Sequence, residues 1–218
     1  MAKSKNGGKR REPRGADRTA DDAAGGARVT GARTRILRII GGRHRGRRLR
    51  FPAGVEIRPT PDRVRETLFN WLQPRIAGAR VLDLFAGSGA LGLEALSRGA
   101  AEVTFVERDR RAAAAIESLL GEWRETTGTV VRADALSWLS TSRTAFDIVF
   151  LDPPYDAAAL GDAAALVAVG HLAPDARVYL ERRARDALPP LPAAWRELRS
   201  GQAGEVGYHL FAIETRAP

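Results

Sequence analysis

The chain has 218 residues, a formal net charge of +9 and no cysteine. This length allows one domain with a well-packed core and a short appendage, and the lack of cysteine excludes disulfides and thiolate-ligated metals. The three histidines have no ligand spacing, which argues against a catalytic metal. No apolar stretch reaches the roughly 20 residues that span a membrane, and the basic N-terminus lacks the apolar core of a secretory signal. We therefore expect a soluble, cytoplasmic protein that binds neither a metal nor a membrane.

The positive charge is concentrated at the N-terminal end. Residues 1–50 contain 16 Lys/Arg and 4 Asp/Glu, a net charge of +12, whereas residues 51–218 carry a net charge of −3. Residues 1–34 are rich in Gly, Ala, Arg and Asp without periodic apolar residues, so we predict a disordered basic arm. Such an arm is suited to follow a phosphate backbone. A merely solubilising tail is the alternative.

A basic hairpin is predicted after this arm. Residues 35–51 have the sequence RILRIIGGRHRGRRLRF, in which an apolar run is followed by two glycines and a second, basic run. Two strand-like runs joined through glycines indicate a β-hairpin, and we assign residues 35–57 to this extension. Its basic side chains are Arg43, Arg45, Arg47, Arg48 and Arg50.

A helix is predicted to begin near residue 60. Thr60 has the side chain of an N-cap, and Pro61 suits the first helical position, where its missing N–H costs nothing. Pro74 is expected to end the helix, because proline cannot donate to the helical hydrogen-bond ladder. Helical spacing predicts a buried face made of Val64, Leu68, Trp71 and Leu72.

From residue 80 onward, strand-like and helix-like segments alternate. The predicted strands cover residues 81–84, 103–106, 129–131, 146–151 and 177–180. The predicted helices cover residues 90–97, a segment from Asp109, a short segment from Asp134, and residues 157–169. This alternation indicates an α/β fold with a mostly parallel sheet and helices on both faces. Residues 195–213 are predicted as two strands around residues 201–204, which adds an antiparallel terminal strand.

A glycine loop follows the first strand of this α/β region. Residues 87–92, GSGALG, match the pattern G-x-G-x-x-G, which also occurs in nicotinamide dinucleotide domains. Acidic residues at successive strand ends favour S-adenosylmethionine instead. Asp83 is suited to meet an ammonium group and would repel a pyrophosphate. Glu107 is placed to accept hydrogen bonds from ribose hydroxyls, and Asp134 from an adenine amine.

Each of these carboxylates also has a structural interpretation. Asp83 is of a type that caps a loop, and Glu107 is of a type that forms a solvated strand end. Asp134 is suited to cap the helix that follows it, and capping is compatible with a contact to adenine. The three carboxylates are harder to explain jointly as structural residues, because they follow three successive strands.

The segment Asp152-Pro153-Pro154-Tyr155 follows the apolar strand 146–151. The Asp152 carboxylate and the Pro153 carbonyl can accept the two N–H bonds of an exocyclic amine, which localises the nitrogen lone pair for attack on a methyl group. Proline fixes the turn through its restricted φ. Tyr155 can stack on the target base, which is worth roughly 1–3 kcal/mol. Asp152 is also the expected acceptor of the product's proton.

These motifs resemble the family of 16S ribosomal RNA guanine-N2 methyltransferases often called RsmD. The resemblance runs from about residue 38 to about residue 213, and its most family-specific part is RPTPDRVRETLFNWL at residues 58–72. The family implies a class I, Rossmann-like methyltransferase domain with a seven-stranded sheet, which we assign to residues 58–218. Pro61 stands where the family usually has a small hydroxyl residue, so a side-chain contact there is lost.

The resemblance also implies the site residues and the partner. The cofactor, S-adenosyl-L-methionine, would be contacted by Asp83, Phe85, Ala86, Gly87, Ser88, Gly89, Glu107, Arg108, Asp134 and Ala135. The amine would be held by Asp152, Pro153, Pro154 and Tyr155. RNA would be met by Arg43, Arg45, Arg47, Arg48, Arg58, Thr60, Arg63 and Arg65. We expect a monomer that acts on 16S ribosomal RNA within a small ribosomal subunit or its precursor, where RNA shape guides selection.

Two alternatives remain open on the residues alone. An adenine-N6 methyltransferase of DNA or RNA would use the same turn, since adenine also presents an exocyclic amine. A non-catalytic RNA-binding assembly factor would use the basic hairpin, although the retained carboxylates argue against it. A glutamine methyltransferase would usually begin the turn with Asn, and a dehydrogenase would need a substrate domain that the sequence lacks.

Overall fold

The computed structural model describes residues 36–50, 60–154 and 157–213. The strands are Ile36–Arg38 (β1), Arg48–Arg50 (β2), Arg80–Asp83 (β3), Glu102–Val106 (β4), Gly128–Val131 (β5), Phe146–Leu151 (β6), Leu172–Arg183 (β7), Trp195–Ala203 (β8) and Val206–Ile213 (β9). The helices are Asp62–Ile76 (α1), Ala90–Ser97 (α2), Arg110–Trp123 (α3), Ala135–Thr141 (α4) and Ala157–Gly170 (α5). The predicted basic arm and Arg58 lie outside the described residues.

The main sheet has seven strands in the order β5-β4-β3-β6-β7-β9-β8. Strands β3 to β7 pair in parallel, whereas β9 runs antiparallel to both β7 and β8. The chain order reverses between β3 and β6, and in open α/β sheets such a switch point creates a crevice at the carboxyl ends of the strands. The predicted α/β sheet with an antiparallel terminal strand is confirmed.

Helices cover both faces of this sheet. One apolar cluster joins α1, α2 and α3 to one face, and a second joins α4 and α5 to the other. Within each inner strand the buried side chains alternate between the clusters, as Val81 and Leu82 do in β3, because successive residues of a strand point to opposite faces. In the described parts of the chain, no helix is long and apolar enough to cross a membrane.

Helix α1 differs from its prediction at both ends. Its N-cap is Pro61, without a side-chain cap, so Thr60 lies outside the helix. The Thr60 hydroxyl instead donates to Asp152 Oδ2 over 3.4 Å. Pro74 lies inside the helix, which continues to Ile76 because that side chain is buried in the core. On the predicted buried face Val64, Leu68 and Leu72 are buried, and Trp71 is only partly buried.

The C-terminal strands are longer than predicted. Strand β7 covers Leu172–Arg183, beyond the predicted residues 177–180, because it pairs with β6 on one side and with β9 on the other. The predicted final pair of strands is confirmed as β8 and β9, which meet at a turn at Gly204. Gly201 belongs to β8, where a Cβ atom would approach the Tyr208 ring to 2.5 Å.

Strands β1 and β2 form a separate antiparallel hairpin, as predicted. The loop after β1 is fixed to helix α2 by the carboxylate of Glu94, which is fully buried. Glu94 accepts hydrogen bonds from the Ile40 and Gly41 amides at 2.7 and 2.8 Å and from Arg98 Nε at 2.7 Å. Arg65 Nη1 lies 3.8 Å from the same carboxylate. One buried anion therefore joins the hairpin to helices α1 and α2.

Arg65 belongs to this structural cluster. Its side chain is fully buried, and Nη2 donates to the Arg38 carbonyl over 2.8 Å and to Asp62 Oδ1 over 2.6 Å. A side chain without exposed surface cannot contact RNA, so the prediction that Arg65 meets RNA is wrong. Burying this cation requires partners. Asp62 and the Arg38 carbonyl accept hydrogen bonds from Nη2, and Glu94 provides an ion pair, whereas Nε and Nη1 have no hydrogen-bond partner among the described residues.

The end of helix α2 gives the hairpin loop a second attachment. The Ser97 hydroxyl accepts from the His44 amide over 2.9 Å, and the Ser97 carbonyl accepts from the Arg43 amide over 2.8 Å. Gly42 sits directly over this carbonyl with φ of +74°, and a Cβ atom there would lie 1.8 Å from the oxygen. The second glycine of the RIIGGRHRG segment is therefore required by close backbone approach.

We predict that Glu94→Ala lowers the free energy of unfolding by about 3–5 kcal/mol, because it leaves buried cations and amides without their anion. Denaturant unfolding followed by circular dichroism measures this loss. The matched control is Glu117→Gln, which removes a carboxylate from the exposed face of α3 and should change stability by about 0.5 kcal/mol or less. A loss below about 1 kcal/mol for Glu94→Ala would contradict the anchoring role.

Candidate active site

A cavity of about 520 Å³ opens at the carboxyl ends of β3, β4 and β6. Its wall contains nine of the ten predicted cofactor residues, together with three residues of the predicted amine-binding turn. These are Asp83, Phe85, Ala86, Gly87, Ser88, Glu107, Arg108, Asp134, Ala135, Asp152, Pro153 and Pro154. Residues predicted from four separate segments thus meet in one cavity. Gly89 is not part of the wall and serves as the N-cap of α2 in a left-handed conformation.

Asp83 ends β3 and is almost fully buried. Its Oδ2 accepts a hydrogen bond from the Gly92 amide over 2.9 Å, so the predicted structural role of holding the glycine loop is present. Burial raises the pKa of this carboxyl to about 7, the Gly92 hydrogen bond opposes the rise, and the Glu107 and Glu181 carboxylates add to it. A positive charge brought into the cavity would favour the ionised form of Asp83.

Glu107 follows β4 and holds two backbone amides. Its Oε2 accepts from the Gly87 amide and its Oε1 from the Asp109 amide, both over 2.7 Å. The alternative of a merely solvated strand end is therefore wrong. Each carboxylate oxygen has two lone pairs, so both oxygens retain acceptor capacity toward the cavity. Gly87 is thereby tied to the strand end that would face a ribose.

Asp134 caps helix α4 by accepting from the Ser137 amide over 3.0 Å. The Ser137 amide is also the main reason that the pKa of Asp134 lies below its usual value. The predicted capping role is confirmed, and the same residue lines the cavity. Asp109 caps α3 in the same way, at the predicted start of that helix.

The amine-binding turn lies at the end of β6, beside β3 in the parallel sheet. Asp152 is half-buried, and its Oδ2 accepts the hydrogen bond from Thr60. Pro153 is buried and Pro154 is exposed. Tyr155 lies outside the described residues, so its stacking role stays a prediction. The turn shares its cavity with Asp83 and with the glycine loop.

Glu181 also lines this cavity and was not among the predicted site residues. It lies in β7, is almost fully buried, and its Oε1 accepts from the Tyr179 hydroxyl over 2.7 Å. The sequence carries the relevant signal, because Glu181 directly follows the apolar run of a parallel strand, as Asp152 does. The predicted strand ended at residue 180, one position short of it.

Four predicted RNA-contacting arginines are exposed on the hairpin: Arg43, Arg45 and Arg47 on its loop, and Arg48 at the start of β2. Two of them also hold the loop against helix α3 and the residues just after it. Arg43 pairs with Glu125, and the Arg47 guanidinium lies 5.5 Å from the centre of the Trp123 ring. Trp123 also packs on the buried His44 ring, with 4.7 Å between ring centres. Arg63 is exposed on α1, near the end from which Thr60 reaches the cavity.

No group of His, Asp or Glu side chains in residues 36–50, 60–154 and 157–213 is arranged to hold a metal ion. The cavity suits a cationic nucleoside of the S-adenosylmethionine type. Asp83 can take an ammonium group, Glu107 retains acceptor capacity for hydroxyls, and Asp134 and Ala135 line the part that would receive a base. The donor set thus fits this cofactor.

Comparisons with known proteins agree with this arrangement. A family model described as "Conserved hypothetical protein 95" matches residues 37–212. The chain is 45% identical over 181 residues to the ribosomal RNA small subunit methyltransferase D of Escherichia coli K12, covering 83% of this chain and 91% of that relative. The protein of the same name from Haemophilus influenzae is 39% identical over 180 residues, covering 80% of this chain and 93% of that relative.

Solved structures show the same fold. The Escherichia coli protein yhhF superposes with a TM-score of 0.78 at 43% identity, covering 83% of this chain and 99% of that chain. The Thermus thermophilus 16S rRNA N2 G1207 methyltransferase RsmC, solved in complex with AdoMet and guanosine, superposes with a TM-score of 0.59 at 25% identity. That match covers 84% of this chain and 50% of RsmC.

Affinity for S-adenosylhomocysteine should rise about tenfold between pH 6 and pH 8, because only ionised Asp83 attracts the ligand's ammonium group and the carboxyl pKa is about 7. Calorimetric titration at several pH values measures this dependence. Asp83→Asn should bind more weakly and with a flatter pH profile, since the asparagine amide does not ionise. If the wild-type affinity stays constant over this pH range, Asp83 does not bind the ammonium group.

Proposed function

The chain belongs to the ribosomal RNA small subunit methyltransferase D family and is an S-adenosylmethionine-dependent rRNA methyltransferase, and we propose that its acceptor is the exocyclic N2 amine of a guanine in 16S rRNA. One observation carries this proposal. The Asp152-Pro153-Pro154 turn opens into the same cavity as Asp83, Glu107 and Asp134. A methyl donor and an exocyclic amine can therefore meet in this one cavity.

The turn compensates for the low nucleophilicity of an aryl amine. The lone pair of such an amine is delocalised into the ring, which makes the nitrogen a poor nucleophile. The Asp152 carboxylate and the Pro153 carbonyl accept its two N–H bonds and hold the nitrogen in a pyramidal geometry. Bound S-adenosylmethionine supplies an electrophilic methyl group on a sulfonium. Orientation of this kind is worth up to about 7–11 kcal/mol.

Proton removal completes the transfer. The amine nitrogen gains a bond to the methyl carbon as the methyl–sulfur bond breaks, so the nitrogen becomes positively charged and must lose a proton. Asp152 already accepts one of these N–H bonds and takes the proton as a general base. The Thr60 hydroxyl donates to Asp152 Oδ2 and so helps to orient this carboxylate.

We infer that RNA is recognised by the exposed basic side chains of the hairpin together with Arg63, which are suited to contact phosphates. Arg63 lies near the start of α1, where Thr60 lines the cavity. Negative potential from the carboxylates inside the cavity would repel phosphates, so the backbone contacts must lie on the rim. We infer that the monomeric protein acts in the cytoplasm on a small ribosomal subunit or its precursor.

A structural relative supports guanine over adenine as the acceptor. RsmC, whose structure resembles this chain, is described as an N2 methyltransferase of a 16S rRNA guanine. The Asp-Pro-Pro turn alone fits either purine, since both have an exocyclic amine. Transfer of a labelled methyl group to 16S rRNA, to assembled small subunits and to DNA, followed by nucleoside analysis, distinguishes N2-methylguanosine from N6-methyladenine.

Asp152→Ala should lower kcat at least about a hundredfold, the lower end of the contribution of a positioned general base. Affinity for S-adenosylhomocysteine should stay within about twofold, because Asp152 contacts the amine rather than the ribose. The matched control is Asp147→Asn, which changes a carboxylate at the opposite end of β6 that pairs with Arg80. If Asp152→Ala turns over within tenfold of the wild-type rate, Asp152 is not the general base.

Arg45→Gln combined with Arg48→Gln should lower kcat/KM for RNA and make it less salt-dependent, by about 0.7–0.9 in the log–log slope for each lost phosphate contact. The anchoring contacts of Arg43 and Arg47 stay in place in this variant, so S-adenosylhomocysteine affinity should not change. Deletion of residues 1–34 should lower kcat/KM less, because the hairpin is anchored to the folded domain through helix α2. A larger loss from the deletion would place RNA recognition on the arm.

A further inference from the structure

The carboxylate of Glu181 lies at the same edge of the sheet as the amine-binding turn. Strands β6 and β7 pair in parallel, with Leu151 opposite Leu180. The next residue in each strand direction is acidic, namely Asp152 after β6 and Glu181 within β7. Both residues line the cavity. Two carboxylates from neighbouring strands therefore line the same cavity.

Glu181 is held firmly in this place. Only 5% of the Glu181 surface is exposed to solvent, and its carboxylate accepts a hydrogen bond from the hydroxyl of the fully buried Tyr179. The Tyr179 ring is fixed by an edge-on contact with Phe150, with ring centres 6.1 Å apart. Burial, and then the Glu181 charge, raise the pKa of the Tyr179 hydroxyl well above its usual value, so the hydroxyl remains a donor.

A buried carboxylate on a cavity wall is stabilised by donors from whatever fills the cavity. Tyr179 provides one donor to Oε1. Asp83, Glu107 and Asp134 are assigned to the cofactor, and Asp152 is assigned to the amine. Glu181 is thus a further acceptor whose position suits the substrate.

Purines differ in what they present beside the exocyclic amine. In guanine the amine is flanked by the N1–H donor, so the edge offers donors at both positions. In adenine, the atom next to the amine is N1 without hydrogen, an acceptor that a carboxylate repels. A second carboxylate beside the amine-binding turn therefore favours guanine.

We propose that Glu181 accepts the N1–H of the target guanine while the Asp152 turn holds its N2 amine, which makes Glu181 a specificity-determining residue. This inference rests on the proposed guanine-N2 function. Tyr179 is a positioning residue, because it acts on the base only through Glu181. The pair explains how one cavity distinguishes guanine from adenine although its Asp-Pro-Pro turn accepts either amine.

The test compares two substrates on two enzymes. The methylated position is first mapped on unmodified 16S rRNA, and ligated RNA is then prepared with guanosine or with 2-aminopurine riboside at that position. 2-Aminopurine keeps the amine but has an N1 acceptor without hydrogen. The guanosine-to-2-aminopurine ratio of kcat/KM is measured for wild type and for Glu181→Gln. Both enzymes meet the same loss of O6, so a change in the ratio reports on residue 181.

The ratio should fall at least about tenfold in Glu181→Gln, the scale of a hydrogen bond to a charged group. The glutamine amide can donate to the N1 acceptor of 2-aminopurine, whereas the carboxylate repels it. Tyr179→Phe should lower the ratio by less, because the carboxylate remains but loses its orientation. Glu181→Asp retains the charge and should keep the preference for guanosine at lower kcat/KM. Glu117→Gln, on the exposed face of α3, is the charge-matched control and should leave the ratio unchanged.

Calorimetry with S-adenosylhomocysteine and a thermal melt accompany each variant. Unchanged cofactor affinity together with a reduced ratio supports the inference. A guanosine-to-2-aminopurine ratio in Glu181→Gln within twofold of the wild-type ratio overturns the inference. If that ratio is unchanged and cofactor binding is tenfold weaker, Glu181 contacts the cofactor instead. If Glu181→Gln fails to fold, an unchanged ratio in Tyr179→Phe together with loss of guanosine preference in Glu181→Asp overturns it. Wild type that forms no N2-methylguanosine in 16S rRNA would refute the proposed function itself.

Discussion

The buried carboxylate of Glu94 is the interaction on which the geometry of the site depends. It satisfies two amides of the hairpin loop and lies against the cations of Arg65 and Arg98. Removing such charges from water costs free energy, so the cluster contributes more to specifying one structure than to the free energy of unfolding. Helix α2 carries this anion in its middle and begins at the glycine loop. The hairpin loop and the glycine loop are therefore fixed to the same short helix.

Electrostatics in the cavity follow from the parallel sheet. Carboxylates at the ends of neighbouring strands converge, and the charges of Glu107 and Glu181 help to raise the pKa of Asp83. A cationic cofactor and a base edge that carries several donors both relieve this repulsion. The same negative field disfavours phosphate inside the cavity. An RNA substrate consequently requires positive charge outside the cavity, and we propose that the exposed arginines of the hairpin supply it.

Local sequence signals predicted most of this arrangement. The alternation of strand-like and helix-like segments predicted the parallel sheet. Ligands bind at the carboxyl ends of parallel strands, and this rule located Asp83, Glu107, Asp134 and Asp152. The errors share a physical origin. Arg65 has no local feature that distinguishes it from an RNA-binding arginine, because its burial is decided by contacts to Arg38 and Glu94, 27 and 29 residues away in the chain. Glu181 does have a local signal, since it directly follows an apolar run, but the cross-strand pairing that extends β7 past residue 180 is equally non-local.

The same non-local pairing bears on how the acceptor is chosen. The Asp-Pro-Pro turn is built from consecutive residues and is suited to hold an amine, which several bases possess. The atom beside that amine differs between bases, and the residue that can sense it comes from the neighbouring strand through the register of Leu151 with Leu180. Thr60, in turn, links Asp152 to the start of α1, which the hairpin cluster holds. Reaction type therefore resides in a local motif, whereas selection of the base and coupling to RNA reside in tertiary contacts.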